Sequence, residues 1–219
     1  MPFIRPSPCN GEPPRDCALC PRLSAFIKEQ RDREPDWFNA PVPTFGDPNA
    51  RLMIVGLAPG LQGANRTGRP FTGDYAGDLL YSTLQKFGFS IGEYAARADD
   101  GLILTDCAIT NSVRCVPPAN RPTPAEIATC RRFLAATLAE YESVIALLAL
   151  GRIAHESVFR TLGLGLKQHP FSHGAVHQCG DRRLIFDSYH CSRYNTNTGR
   201  LTTAMFEDVF VAIRAHLDA

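Results

Sequence analysis

Residues 51–60 read RLMIVGLAPG: four apolar side chains in a row, then a turn built from glycine and proline. A run this short, without polar alternation, marks a strand buried on both faces, and Gly56 marks a sharp exit from it. Arg51–Gly56, Leu102–Thr110, Ser143–Leu150 and Arg183–Tyr189 all have this character, which predicts four strands. Between them lie segments of helical periodicity at about Asp74–Phe87, Thr123–Glu140 and Gly151–Leu162, with a last one from Leu201 to Leu217. Thr123-Pro124-Ala125-Glu126 is a capping box with proline at the first helical position. Strict alternation of strand and helix calls for parallel strands joined by right-handed crossovers. The expected fold is α/β, a three-layer α/β/α sandwich around a central, mainly parallel four-stranded sheet.

At 219 residues and 44% hydrophobic content the chain suits one domain over 1–219, with an irregular, proline-rich segment at 1–16. Charge is balanced, 23 Lys+Arg against 22 Asp+Glu, which excludes a uniformly basic nucleic-acid coat. Val144 to Leu150 is far short of the roughly 20 apolar residues of a membrane span. The first fourteen residues, MPFIRPSPCNGEPP, lack the apolar centre of a signal peptide, so a cytoplasmic protein is expected.

In an open parallel sheet the ligand crevice lies beyond the carboxyl ends of the strands. Three long loops follow such ends: 56–74, 111–122 and 190–200. They carry Arg66, Arg69, Arg114, Arg121, Arg193 and Arg200, which together predict a basic rim for phosphates. Their Gly, Asn and Thr residues expose backbone N–H groups suited to the same anions. A nucleic-acid backbone fits both features.

Eight cysteines in such a chain argue for metal ligation and buried thiols over a disulfide framework. Cys17 and Cys20 are spaced to grip one centre, and Cys115 and Cys130 complete a set of four. Zinc and an iron–sulfur cluster both accept four cysteines, and spacing does not separate them. Cys107 lies inside an apolar strand and belongs to the core. His169, His173 and His177 recur every four residues, but His169-Pro170 does not fit inside a helix, which disfavours a metal site there.

Taken in order, PVPTFGDPNARLMIVGLAPG (41–60), GANRTGRPFTGD (63–74), VRCVPPANRPTPAEIATC (113–130), LALGRIA (148–154), HPFSHGA (169–175) and SYHCSRYNTNTGRLT (188–202) resemble the family 5 (type b) uracil-DNA glycosylases, over most of the chain. The resemblance implies that Cys17, Cys20, Cys115 and Cys130 hold a structural [4Fe-4S] cluster. It implies a DNA repair enzyme that flips a deaminated base out of DNA and hydrolyses its N-glycosidic bond; no protein partner is implied, and a monomer is expected. Uracil is the first candidate, with hypoxanthine, xanthine and mispaired thymine as others.

Breaking that bond leaves positive charge on the sugar and negative charge on the departing base, which needs donors aimed at its carbonyls. His190 matches the histidine of the family's third motif and is assigned as donor to the uracil O2. The turn Gly56, Leu57, Ala58, Pro59 and Gly60 is expected at the base, and its backbone N–H groups, which Pro59 lacks, are auxiliary donors. That turn carries no acid, and Asp74 resembles the family's carboxylate for positioning water or stabilising the cation, while also suiting the N-cap of the next helix. Asn120 matches a family position near the flipped base, Asn111 sits where related families read the base, and Phe71 is the candidate stacking platform. Asn65, Arg66, Arg69, Arg121, Ser192, Arg193, Asn195 and Arg200 are expected at the DNA, with Tyr194 as the wedge. Cys191 stands where many members of the superfamily have proline.

Two rival readings are a non-catalytic iron–sulfur nucleic-acid-binding protein derived from this fold and a glycosylase for another base. A dinucleotide-binding oxidoreductase is disfavoured, since GLAPG lacks the second-glycine spacing of that fingerprint.

Overall fold

The computed structural model describes residues 11–180 and 182–219. Residues 1–10, including Cys9 and most of the expected irregular segment, lie outside the described residues; 11–16 make only turns and bends. The chain then runs through α1 (Pro21–Arg33), β1 (Phe45–Gly46), β2 (Leu52–Gly56), α2 (Ala64–Thr67), α3 (Tyr75–Lys86), β3 (Ser90–Ile91), β4 (Ile103–Leu104) and β5 (Cys107–Asn111). A 3-10 turn at Pro118–Asn120 leads to α4 (Pro124–Glu140), β6 (Ala146–Leu150), α5 (Arg152–Thr161), β7 (Val176–Cys179), β8 (Arg183–Ser188), α6 (Arg193–Asn197) and α7 (Thr203–Leu217).

The main sheet has the order β1-β5-β2-β6-β8-β7. Its inner four strands are parallel, as expected, and its two edges are antiparallel. Alternate residues of β2 go to opposite layers. Leu52 and Ile54 join Leu80 and Leu84 of α3 and Phe206 and Phe210 of α7 on one face. Met53 and Val55 join Leu134 and Leu138 of α4 and Val158 and Phe159 of α5 on the other. Each such apolar side chain, fully buried, contributes about 1.5–3 kcal/mol, which is why neither face tolerates a polar run.

The four-stranded expectation is corrected to six. The two missed edges, β1 and β7, are a two-residue bridge and a strand whose side chains alternate between exposed and partly buried. Neither produces a continuous apolar run. The expected strand at Leu102–Thr110 is two strands: Ile103–Leu104 pairs with Ser90–Ile91 in a separate ribbon, and β5 begins at Cys107. Asp106, at φ +55°, breaks the run, and its carboxylate accepts from the backbone and guanidinium of Arg51. Helix α1 was not foreseen, because its buried apolar stripe is only Leu23 and Ile27.

Helix starts follow the sequence closely. Thr123 and Glu126 form the capping box, Glu126 Oε2 accepting from Thr123 N at 2.7 Å and Thr123 Oγ1 from Glu126 N at 3.3 Å. The carboxyl ends of β2, β5 and β8 deliver Gly56, Asn111 and, two residues past β8, His190 to one side of the sheet.

Candidate active site

Beyond those strand ends lies a cavity of about 380 Å³. Leu57, Ala58, Gly60, Phe71 and Asp74 line it from the first loop, Asn111 and Asn120 from the second, and His190, Ser192 and Arg193 from the third. The structure therefore brings together the three catalytic candidates and most base-binding ones. Ala64, Tyr75 and Ala76 also line it and were not singled out from sequence.

The cavity floor depends on close packing. Gly56 is buried beneath it, and a Cβ there would lie 2.4 Å from Asn111 Oδ1 and 2.8 Å from the Phe71 ring, so only glycine fits. Pro59 is likewise buried under the turn. The turn is pinned through its carbonyls, Gly56 O accepting from Ser112 N, Leu57 O from Val113 N and Gly60 O from Asn65 N. Phe71 is itself at φ +54°, a conformation costly for a bulky residue and of the kind stored at functional sites. Ala119, at φ +54°, carries backbone strain in the opposite wall, next to Asn120 at φ +56°, a residue type that adopts this conformation readily.

Asp74 caps α3 with Oδ1, which accepts from Gly77 N at 3.2 Å. Its other oxygen faces Gly60 and Gly63, where added Cβ atoms would approach it to 3.3 and 2.7 Å. Capping and chemistry are thus compatible in one carboxylate. Burial pushes its pKa above the ordinary aspartate value, opposed by the backbone N–H groups of Gly77 and Ala76.

His190 stacks on Phe71 with ring centroids 5.8 Å apart and 30° between planes. Burial lowers its pKa to about 4, so the imidazole is neutral at physiological pH. Among the described residues neither ring nitrogen makes a hydrogen bond. The side-chain oxygen of Asn111 is buried and likewise without a partner among the described residues. A buried acceptor left unpaired costs about 1–3 kcal/mol, and here a ligand N–H would satisfy it.

The basic rim needs correcting. Arg69 is buried, its guanidinium bidentate on Asp100 at 2.7 Å and surrounded by Phe45, Tyr81 and Tyr94, so it braces the first loop from inside. Although burial opposes it, Arg69 and two backbone N–H groups hold Asp100 down to about 2. Arg114 is also interior, bound to Glu12, Thr44 and Thr137. Asn65 is fully buried, with Nδ2 donating to Asn39. None of the three can meet a phosphate from its present place. Arg66, Arg121, Arg193 and Arg200 are exposed, Arg193 lying over the Tyr75 ring and Arg200 over Tyr189. Tyr194 is 71% exposed on α6. Ser192 caps that helix and Asn195 turns its amide inward onto His190 O. Cys191 is buried in the core with Leu201 and Phe206, which accounts for a thiol in a position open to proline.

The four candidate cysteines come together as free thiols at the α1 end of the 111–122 loop. Burial pushes Cys20, Cys115 and Cys130 above the ordinary thiol range, reinforced by Glu126 and then Cys17 at Cys20 and by the neighbouring thiols at Cys115, and opposed by Arg114 at Cys130. Sulfurs around one tetrahedral zinc stand about 3.8 Å apart. Among the described residues, however, no three of these four lie within 4.8 Å of one another. Four thiols with no other donor type make a ligand set that both an iron–sulfur cluster and zinc accept.

Sequence reading missed one cluster. Asp187 of β8, fully buried, joins His155 of α5 at 2.9 Å and His177 of β7 at 3.0 Å, while His155 Nε2 reaches His169 O at 3.0 Å. Both carboxylate oxygens are engaged by imidazoles, so the set ties elements together. Only long-range pairing reveals it, since its members are 32 and 10 residues apart.

A family model described as "Uracil DNA glycosylase superfamily" matches residues 43–214. The chain is 46% identical over 201 residues to a type-5 uracil-DNA glycosylase of Thermus thermophilus, covering 89% of this chain and 91% of that protein. A type-5 uracil-DNA glycosylase of Pyrobaculum aerophilum is 41% identical over 198 residues, 89% and 86% of the two chains. A type-4 uracil-DNA glycosylase of Archaeoglobus fulgidus is 35% identical over 153 residues, 68% and 69%.

Proposed function

The chain belongs to the uracil-DNA glycosylase superfamily, and we propose on that footing how its cavity excises a base from DNA. The enzyme is a hydrolase of N-glycosyl bonds that removes uracil in base excision repair. The observation that carries the assignment of roles is the meeting, in one cavity, of His190, whose ring nitrogens are unengaged among the described residues, and Asn111, whose buried side-chain oxygen has no partner among them.

In this reading uracil leaves the stack and enters between Phe71 and the Asn120 loop. Asn111 Oδ1 accepts from the base N3–H, and His190 donates to O2. The anion forming on the ring is met by that neutral imidazole and by N–H groups of the Gly56–Gly60 turn, in the manner of an oxyanion hole. Asp74 stands on the sugar side, where its carboxylate stabilises the cation or orients water. The Leu57-Ala58 wall is apolar and makes no base-specific demand, which extends the reading to hypoxanthine, xanthine and mispaired thymine. Arg66, Arg121, Arg193 and Arg200 take phosphates, and Tyr194 fills the vacated stack.

Cys17, Cys20, Cys115 and Cys130 hold a [4Fe-4S] cluster. When bound, the cluster supplies a covalent tie between the segment before α1 and the loop carrying Asn111 and Asn120, with no part in bond cleavage. Among the described residues no helix is long and apolar enough to cross a membrane, and we place the enzyme with genomic DNA in the cytoplasm, acting as a single chain.

The test is release of free base from oligonucleotides bearing one uracil, hypoxanthine or thymine mispair, followed by alkaline cleavage at abasic sites. DNA binding without abasic product would overturn the catalytic reading.

A further inference from the structure

His190 has no side-chain hydrogen bond to orient it among the described residues, so its aim depends on its backbone and on the Phe71 ring beneath it. That backbone is gripped on both sides. Tyr189 N donates to His173 Nδ1 at 3.1 Å, and His173 Nε2 in turn donates to Met205 O at 3.2 Å, which ties the strand exit to α7. On the far side Asn195 Nδ2 donates to His190 O at 2.8 Å. Asn195 is itself locked: its N–H donates to Ser192 Oγ at 3.4 Å and its carbonyl accepts from Leu201 N at 3.0 Å. The Asn195 amide nitrogen is therefore turned onto the protein's own backbone.

We propose that Asn195 is a positioning residue for His190, fixing the peptide from which the imidazole projects, and is not a DNA contact. The inference rests on the reading of His190 as donor to the departing base. A donor on a short side chain with no second anchor loses its aim if its peptide rotates, and a misplacement of about 1 Å costs on the order of 100-fold in rate. A contact to phosphate would behave differently, weakening binding and its salt dependence while leaving the saturated rate alone.

The experiment is a double-mutant cycle between Asn195→Ala and His190→Ala. It is read as the single-turnover rate of uracil release with enzyme in saturating excess, and as the Kd for a duplex containing an abasic site. Asn195→Ala is expected to slow release about 10- to 100-fold with Kd unchanged within about twofold. In the His190→Ala background it should cost less than about twofold more, because the group it positions is gone. Weakened binding at an unchanged saturated rate, or losses that multiply in the double variant, would overturn the proposal. Should Asn195→Ala not fold, Asn195→Asp keeps the shape, removes the donor and is held to the same criteria. A wild-type chain releasing no uracil would defeat the activity reading instead, and that outcome is seen before any variant is made.

Discussion

The imidazole of His190 and the ring of Phe71 are stacked with centroids 5.8 Å apart and planes 30° from parallel, joining the exit of the last parallel strand to the loop after the first. The proposed base-anion donor and stacking platform thus come from segments 119 residues apart in sequence, and each restrains the other. Because negative charge on the leaving base dominates a dissociative cleavage, His190→Ala should lose more single-turnover activity than Asp74→Ala. Equal losses, or a larger one at Asp74, would reverse the assignment.

Asp74 serves α3 with one oxygen and faces the cavity with the other, and an asparagine separates the two duties. Asp74→Asn keeps a good N-cap and removes a buried charge whose pKa burial has raised. The penalty for ionising that group in the fold is complete above its raised pKa and fades as pH falls toward the ordinary value. At neutral pH Asp74→Asn should therefore unfold at an equal or higher temperature than wild type while losing activity. Asp74→Ala should lose the cap as well, about 0.5–2 kcal/mol.

The depressed pKa of His190 sets a pH dependence of stability. Between about pH 6.5 and pH 4 the unfolded chain binds a proton at this site and the folded chain does not, so acid destabilises the fold across that window. His190→Asn should show a smaller drop in apparent Tm between pH 7.5 and pH 5 than wild type, measured at one scan rate.

Arg69 and Arg66 lie three residues apart in one loop and should behave as opposites. Arg69→Ala strands the buried Asp100 carboxylate, a change that costs about 3–5 kcal/mol in unfolding free energy, with no change in the salt dependence of DNA binding. Arg66→Ala should leave stability within about 0.5 kcal/mol and reduce the slope of log affinity against log salt by about 1.

Replacing Cys115 by serine should abolish visible absorbance and bound iron in the purified protein, while Cys107→Ser, in the core of β5, should keep both. A colourless wild-type protein loaded with zinc would show that the four thiols hold another metal.

The sequence by itself determined the parallel heart of the sheet, because strands buried on both faces must be continuous apolar runs. It also determined the helix starts, since Thr123, Glu126 and Asp74 satisfy N–H groups only a few residues away. Family motifs picked out His190, Asn111, Asn120 and the cysteines as residues that converge. Only the tertiary structure decided the two edge strands, too short or too half-exposed to leave an apolar run. It also decided that Arg69, Arg114 and Asn65 face inward and that Asp187 gathers two distant histidines. The reason is physical: an arginine in a loop reads the same whether it meets solvent or a buried carboxylate. What separates the two is a partner such as Asp100 or Glu12, 31 or 102 residues away, which folding alone brings into contact.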